Sequence, residues 1–326
     1  MIIVTGGTGF IGSNILASLE QRGYKELVVS DEPNAHLENI SKRNIHDFVA
    51  PPMLLNFCTK NKSNIQAILH MGATSSTMIT DASLFVKNNY QYSLKLWDWC
   101  VENKVPFIYA SSAATYGNGN MGFEDDYDPK SLSKLRPLNH YGRSKHLFDR
   151  KIVSQISSGH KYPPQWVGLK FFNVYGPNEY HKGNQRSVAA TIFPDAMTNG
   201  EVKLFKSHDP NYADGEQLRD FVWVGDCVNI ILWLVEKGNV NGIFNVGTGK
   251  ARSFRELACA LFAALDKPEK IKYIDMPVDL RPKYQYFTEA NMERLINTGY
   301  TKQPTSLEAG IRKYVQQFLI KPDPYL

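Results

Sequence analysis

Ile2-Ile3-Val4-Thr5-Gly6-Gly7-Thr8-Gly9-Phe10-Ile11-Gly12 runs from a short apolar segment across three spaced glycines, Gly6, Gly9 and Gly12, into the helix-like stretch Ser13 to Arg22. Those glycines remove the Cβ atoms that would hold a pyrophosphate off the backbone. The helix behind them presents unpaired N–H groups and its positive end to an anion. A dinucleotide is therefore expected on this turn, touching Phe10 and Ile11 as well as the glycines. Asp31 ends the next apolar run, Leu27-Val28-Val29, about twenty residues on, where a carboxylate bonds the hydroxyls of an adenosine ribose; Glu32 follows it.

A second constellation bears on what is done with the nucleotide. Phe107-Ile108-Tyr109-Ala110-Ser111 reads as a buried strand with Ser112 at its carboxyl end, where ligands bind in an open parallel sheet. Tyr141 and Lys145 are four residues apart, so a helix places both on one face. An ammonium beside a phenol favours the phenolate, so a group that titrates near pH ~10 is expected to act as a base closer to neutrality. The serine hydroxyl is then available to hold a substrate oxygen.

The chain has 326 residues, 43% of them hydrophobic, enough to bury a large core. Its formal charge of +5 comes from 37 basic and 32 acidic residues without a long basic run, which gives little support to a nucleic-acid partner. An anionic small molecule accounts for it equally well. Cys58, Cys100, Cys227 and Cys259 lie far apart, in no metal-ligand spacing, and read as reduced thiols of a cytoplasmic protein. No segment reaches the ~18 apolar residues of a membrane span, and neither the histidines nor the Glu124-Asp125-Asp126-Asp128 cluster matches a metal motif. No membrane and no metal are expected.

Short apolar runs at Leu27, Ala67, Phe107 and Trp166 alternate with longer stretches able to form helices, clearest over Phe85 to Glu102 and Tyr141 to Ile156. This predicts an α/β fold: a Rossmann-type, doubly wound parallel sheet. Beyond Gly176-Pro177 the punctuation by Gly, Pro, Asn and Asp thickens. A smaller, discontinuous substrate lobe is expected over about 177–218 and 250–326, with 1–176 and about 219–249 forming the dinucleotide-binding domain. Asp220 to Asp226 and Ile243 to Val246 read as strands returning to that domain.

On the glycine turn with Ser112, Tyr141 and Lys145, the chain resembles the extended short-chain dehydrogenase/reductases, the nucleotide-sugar epimerases and dehydratases. Ala113-Ala114-Thr115 stands where dehydratases of that group carry acidic residues, which favours a reaction without loss of water. Asn88-Asn89-Tyr90-Gln91-Tyr92-Ser93, Ala110 to Gly117, Asn173-Val174-Tyr175-Gly176-Pro177, Arg219-Asp220-Phe221-Val222, Tyr284-Gln285 and, more narrowly, His181-Lys182-Gly183 resemble the ADP-glyceromanno-heptose 6-epimerases of lipopolysaccharide-core synthesis.

The resemblance implies that Tyr141 exchanges a proton with a sugar hydroxyl and that Lys145 also holds the nicotinamide ribose. Lys182 would serve as the second proton-exchanging group. It further implies that Met71, Gly72, Ala73, Thr74, Ser75, Asn88 and Val174 surround the dinucleotide. Asn173, Asn184, Phe205, Lys206, Ser207, His208, Arg219 and Tyr284 would meet a nucleotide-diphosphate sugar, with Arg219 clamping the diphosphate through its planar fork. A homo-oligomer is expected. The cofactor is NADP by resemblance and NAD by the local chemistry of Asp31 and Glu32. A UDP-hexose 4-epimerase or related reductase, or a catalytically silent nucleotide-sensing protein, remain alternatives on the same fold.

Overall fold

The computed structural model describes residues 1–75, 81–278, 280–281 and 284–326. Its centre is a sheet of β1 (Ile2–Thr5), β2 (Leu27–Ser30), β3 (Asp47–Val49), β4 (Ala67–His70), β5 (Phe107–Ser112), β6 (Trp166–Phe171) and a later strand, Gly242–Val246. The order across the seven strands is Gly242–Val246, β6, β5, β4, β1, β2, β3. Every pairing is parallel. Alternate residues serve opposite faces: Ile3, Val28 and Ile68 enter one apolar cluster, while Ile2, Val4, Val29 and Leu69 enter another. Both faces are covered, which is why these strands read as unbroken apolar runs.

Parallel pairing brings the carboxyl ends of the strands to one edge. Thr5 is in register with Ser30 and with His70, and Ser112 with Phe171, so the turns after β1, β2, β4 and β5 open together. The two expected long helices form. One runs from Ala82 to Asn103 through a π-helical segment at Val86–Gln91, and the other spans His140–Ser157, capped by the Asn139 side chain on the Gly142 N–H. π segments frequently mark functional sites. Here the segment carries Asn88 and Asn89.

The later part of the chain adds short strand pairs. β7 (Asn173–Tyr175) pairs with β10 (Phe221–Trp223), β8 (Val202–Phe205) with β13 (Ile271–Ile274), and β9 (Leu218–Arg219) with β12 (Arg252–Ser253); β11 is the Gly242–Val246 strand. A third apolar cluster unites Ala189, Ile192, Leu204, Leu257, Leu261, Ile311 and Tyr314. β11 joins the central sheet beside β6, while β10 pairs with β7 and sends Val222 into the cluster against that sheet. Leu295 and Tyr300, late in the chain, pack with the central sheet's cluster. Among the described residues no helix is long and apolar enough to cross a membrane.

Candidate active site

The glycine turn leaves β1 with Gly6 at φ 64°, a left-handed conformation that a side chain disfavours. A Cβ on Gly6 would lie 2.6 Å from Gly72 Cα, and one on Gly12 would collide with the Gly6 carbonyl. Gly9 is different: its Cβ would meet only the Gly6 oxygen, at 3.2 Å. Gly9 is also the N-cap of the helix Phe10–Gln21, offers no side-chain cap, and is followed by no acid in the first turn. The helix N-terminus thus keeps its donors for an outside acceptor, which fits a dinucleotide phosphate. Gly12→Ala is therefore expected to cost about 1–3 kcal/mol of stability by overpacking. Gly9→Ala should keep the fold and lose nucleotide. Thermal melting alongside fluorescence titration with reduced cofactor separates the two outcomes.

A cavity of about 720 Å³ runs from this turn to the carboxyl end of β5. Gly6, Gly9, Phe10, Ile11, Gly12, Asp31, Met71, Gly72, Ala73, Thr74, Ser75, Ser112, Tyr141, Lys145, Val174, Lys182 and Asn184 all line it. A second cavity, of about 610 Å³, shares Gly6, Asp31 and Gly72 to Thr74 with it, and adds Glu32, Asn88, Lys87 and Lys95. Asp31 is held in place from both sides. Its Oδ2 accepts from the Thr8 N–H at 3.0 Å and the Thr8 hydroxyl at 2.5 Å, and its Oδ1 from the Glu32 N–H at 3.0 Å.

Three elements from distant parts of the chain bring the reactive groups together. Ser112 ends β5, its Oγ accepting from the Ala114 N–H at 3.1 Å, and it lines the cavity beside Tyr141, which comes from the first turn of the helix His140–Ser157. Lys145 lies one turn on, buried. Burial pushes the Tyr141 phenol above its usual range; the nearby Ser112 hydroxyl opposes this and the Asp149 charge adds to it. The expected lowering of the phenol by Lys145 is not what dominates. Desolvation acts on both groups, and it pulls the lysine itself down to about 8 against the opposing Asp149 charge.

Lys182 enters the same cavity from the short 3-10 segment Tyr180–Gln185. Its Nζ stands 5.1 Å from the centre of the Phe10 ring and makes no ion pair among the described residues. Burial lowers its pKa, with Glu179 opposing. A lysine in that state is suited to proton exchange.

Asn173, Phe205, Lys206, Ser207, His208, Arg219 and Tyr284 line neither cavity. Arg219 is buried between the rings of Tyr284, at 5.1 Å, and Phe254, at 5.5 Å, and donates to the carbonyls of Leu218 and Gln285. Lys206 pairs with Asp275 at 3.3 Å. The Ser207 N–H donates to Asp214, and the His208 N–H to the Tyr286 hydroxyl. Asn173 accepts from the Thr288 hydroxyl at 3.3 Å.

Several residues that hold the site escaped the sequence reading. Buried Asn89 accepts from the Thr74 N–H and donates to the Thr74 carbonyl and the Ser144 hydroxyl, tying the Met71–Ser75 turn to the helix of Tyr141. Asp149, fully buried one turn beyond Lys145, accepts from the Tyr109 hydroxyl at 2.9 Å and the Ser111 hydroxyl at 2.6 Å. Behind it Lys170 is buried with no hydrogen-bond partner for Nζ among the described residues, 4.1 Å from the centre of the Tyr116 ring. The Tyr141, Lys145, Asp149 spacing was the available signal for the acid. Asn89 was visible only as the neighbour of Asn88.

Comparison with known proteins agrees with this geometry. Residues 2–247 match the model of the NAD dependent epimerase/dehydratase family. The chain is 47% identical to the ADP-L-glycero-D-manno-heptose-6-epimerase of Fusobacterium nucleatum, over 100% of both chains. It is similar to the crystal structure of the Helicobacter pylori ADP-L-glycero-D-manno-heptose-6-epimerase, at a TM-score of 0.79 and 31% identity, covering 97% of this chain and 95% of that one. It is also similar to Thermus thermophilus UDP-glucose 4-epimerase in complex with NAD, at a TM-score of 0.75 and 25% identity, covering 96% and 97%. The glycine turn, the Ser112, Tyr141 and Lys145 trio and these matches have one consequence: the chain belongs to the NAD dependent epimerase/dehydratase family and works with a nicotinamide cofactor.

Proposed function

We propose that the protein inverts C6 of an ADP-glycero-manno-heptose by transient oxidation to a ketone and re-reduction. The observation that carries this is the presence of two titratable side chains, Tyr141 and Lys182, from different elements in one cavity. A nicotinamide held there would supply the hydride acceptor for the carbinol carbon and the hydride donor for its return. Tyr141, acting from its phenolate form with the Lys145 ammonium one turn away, accepts the hydroxyl proton of one epimer, with Ser112 holding the oxygen. After the ketone turns its other face, Lys182 supplies the proton to the oxygen in its new position. The glycine turn holds the dinucleotide, with Met71 to Ser75, Asn88 and Val174 around it; Arg219 and Tyr284, beside Asn173 and Phe205 to His208, serve the sugar diphosphate from the smaller lobe. Turnover of ADP-heptose followed by NMR, against UDP-glucose and UDP-galactose, tests the reading. Selective interconversion of the heptose epimers is expected, and equal or better turnover of a UDP-hexose overturns it.

For the cofactor we propose NAD. Neither Asp31 nor Glu32 is neutralised by an ion pair among the described residues. The cations nearest in sequence are engaged elsewhere, Lys42 with Asp323 at 2.8 Å and Arg43 with Glu20 at 2.7 Å. A 2′-phosphate beside two carboxylates is unfavourable. Nucleotide released from the purified protein by denaturation and identified by mass is expected to be NAD. Recovery of NADP would overturn this and assign the extra phosphate to Lys87 or Lys95, which line the second cavity. The division into a dinucleotide domain and a discontinuous substrate lobe is kept as part of this reading. Sedimentation velocity tests the homo-oligomer that the resemblance implies.

A further inference from the structure

Three stretches remote in sequence meet at the rim of the larger cavity. His36, at φ 50° in the left-handed region, begins the short 3-10 turn Leu37–Ile40 after β2. Its ring stacks on that of His181, with centroids 3.9 Å apart and planes at 29°. Both histidines line the cavity together with Gly6, Gly9, Asp31 and Lys182. A non-glycine residue held at positive φ is strained, and such strain persists where surrounding contacts over-determine it.

Those contacts are explicit. Buried Asn39 donates through Nδ2 to the Thr8 carbonyl in the glycine turn at 2.8 Å, and the same nitrogen lies 3.2 Å from His181 Nδ1. With the amide as donor, His181 Nδ1 accepts and its proton sits on Nε2. Burial lowers the His181 pKa to about 4, so the ring is neutral near pH 7 and charge does not oppose the stack. Buried Asn178 donates to the Asn39 carbonyl at 3.2 Å and to the Ser13 hydroxyl at 3.0 Å, joining the loop of His181 to both the His36 turn and the first helix.

The segment Asp323 to Leu326 lies across this junction. The Leu326 N–H donates to Asn178 Oδ1 at 3.0 Å, and the Tyr180 hydroxyl to the Pro324 carbonyl at 2.9 Å. The Tyr325 ring meets the Tyr180 ring edge-on at 5.4 Å. On the other side Lys42 donates to the Tyr325 carbonyl at 2.7 Å and pairs with Asp323 at 2.8 Å. The segment therefore bridges the loop that carries His181 and Lys182 to the loop that carries His36.

We propose that the His36–His181 stack, strapped by residues 323–326, is a clasp over the glycine turn that retains the dinucleotide through the catalytic cycle. The proposal rests on the reading that the larger cavity holds a nicotinamide dinucleotide. An enzyme that returns every hydride it takes gains from keeping its cofactor, and a closure joining two loops slows release more than it alters entry. His36 and His181 are positioning residues here, and Lys42 acts on them only through the strap.

The test measures release of bound reduced cofactor from the full-length protein, by loss of nicotinamide fluorescence after chasing with excess oxidised nucleotide. His36→Ala and His181→Ala are expected to raise the release rate about tenfold or more. His181→Phe keeps a stacking ring and should stay within about threefold of wild type. Lys42→Met frees the strap at a solvent-exposed ion pair and should raise release while leaving kcat at saturating cofactor unchanged. Release rates within about twofold of wild type in folded His36→Ala and Lys42→Met overturn the clasp. Failure of the wild-type protein to bind either nicotinamide dinucleotide overturns the cofactor reading itself, and the clasp with it.

Discussion

Tyr141→Phe is expected to lower kcat on the order of 10²–10⁴-fold, the range for removal of a positioned proton-transfer group. The substitution deletes one hydroxyl and keeps the ring in its place on the helix His140–Ser157. Ser112 still accepts from the Ala114 N–H, so its oxygen is not orphaned. Loss of one net hydrogen bond is worth about 0.5–1.5 kcal/mol, and melting should shift by no more than about 2–4 °C. The glycine turn is untouched, so nucleotide content should match wild type. The measurement is steady-state turnover together with the absorbance of bound nucleotide. A rate near wild type would reject Tyr141 as the base. Loss of nucleotide would instead show that the phenol binds cofactor.

Lys182→Met separates two-base inversion from simple oxidoreduction. If Tyr141 serves one epimer and Lys182 the other, epimerisation should fall by about 10²–10⁴-fold. A half-reaction that needs only Tyr141 should survive. A substrate analogue carrying an aldehyde at the reacting carbon supplies that half-reaction, because it is oxidised or reduced without the intermediate turning over. Methionine preserves most of the apolar stem against the Phe10 ring while removing the ammonium. A residue that only neutralises phosphate gives another pattern: a raised KM for every substrate, with kcat regained at saturation. If saturating ADP-heptose restores the wild-type rate, Lys182 is a phosphate clamp and the second-base assignment fails.

Much of the site was legible along the chain because its parts are local. Gly6, Gly9 and Gly12 are spaced for a single turn, and the constraints on Gly6 and Gly12 arise within that turn or against the neighbouring Gly72. Tyr141 and Lys145 share a helix face by their spacing alone. Apolar runs announced the strands because both faces of the sheet are covered, and the matching ends of β1, β4 and β5 follow from parallel pairing.

What only the tertiary structure decided is how separate turns meet. The meeting of Ser112 and Tyr141 in one cavity, the approach of Lys182 to Phe10 and the partnership of Asn89 with Thr74 join segments far apart in the chain, and no periodic pattern encodes such pairs. The electrostatics changed for the same reason. The Tyr141 and Lys145 spacing suggested a lowered phenol, but burial of both groups beside Asp149 raises the phenol and lowers the lysine instead. The sequence determined that a glycine turn and a serine, tyrosine and lysine trio exist. Packing alone decided which solvent they see, that β10 pairs with β7 outside the central sheet, and that His36, His181 and residues 323–326 close over the glycines, because burial and loop contacts depend on every element packed around them.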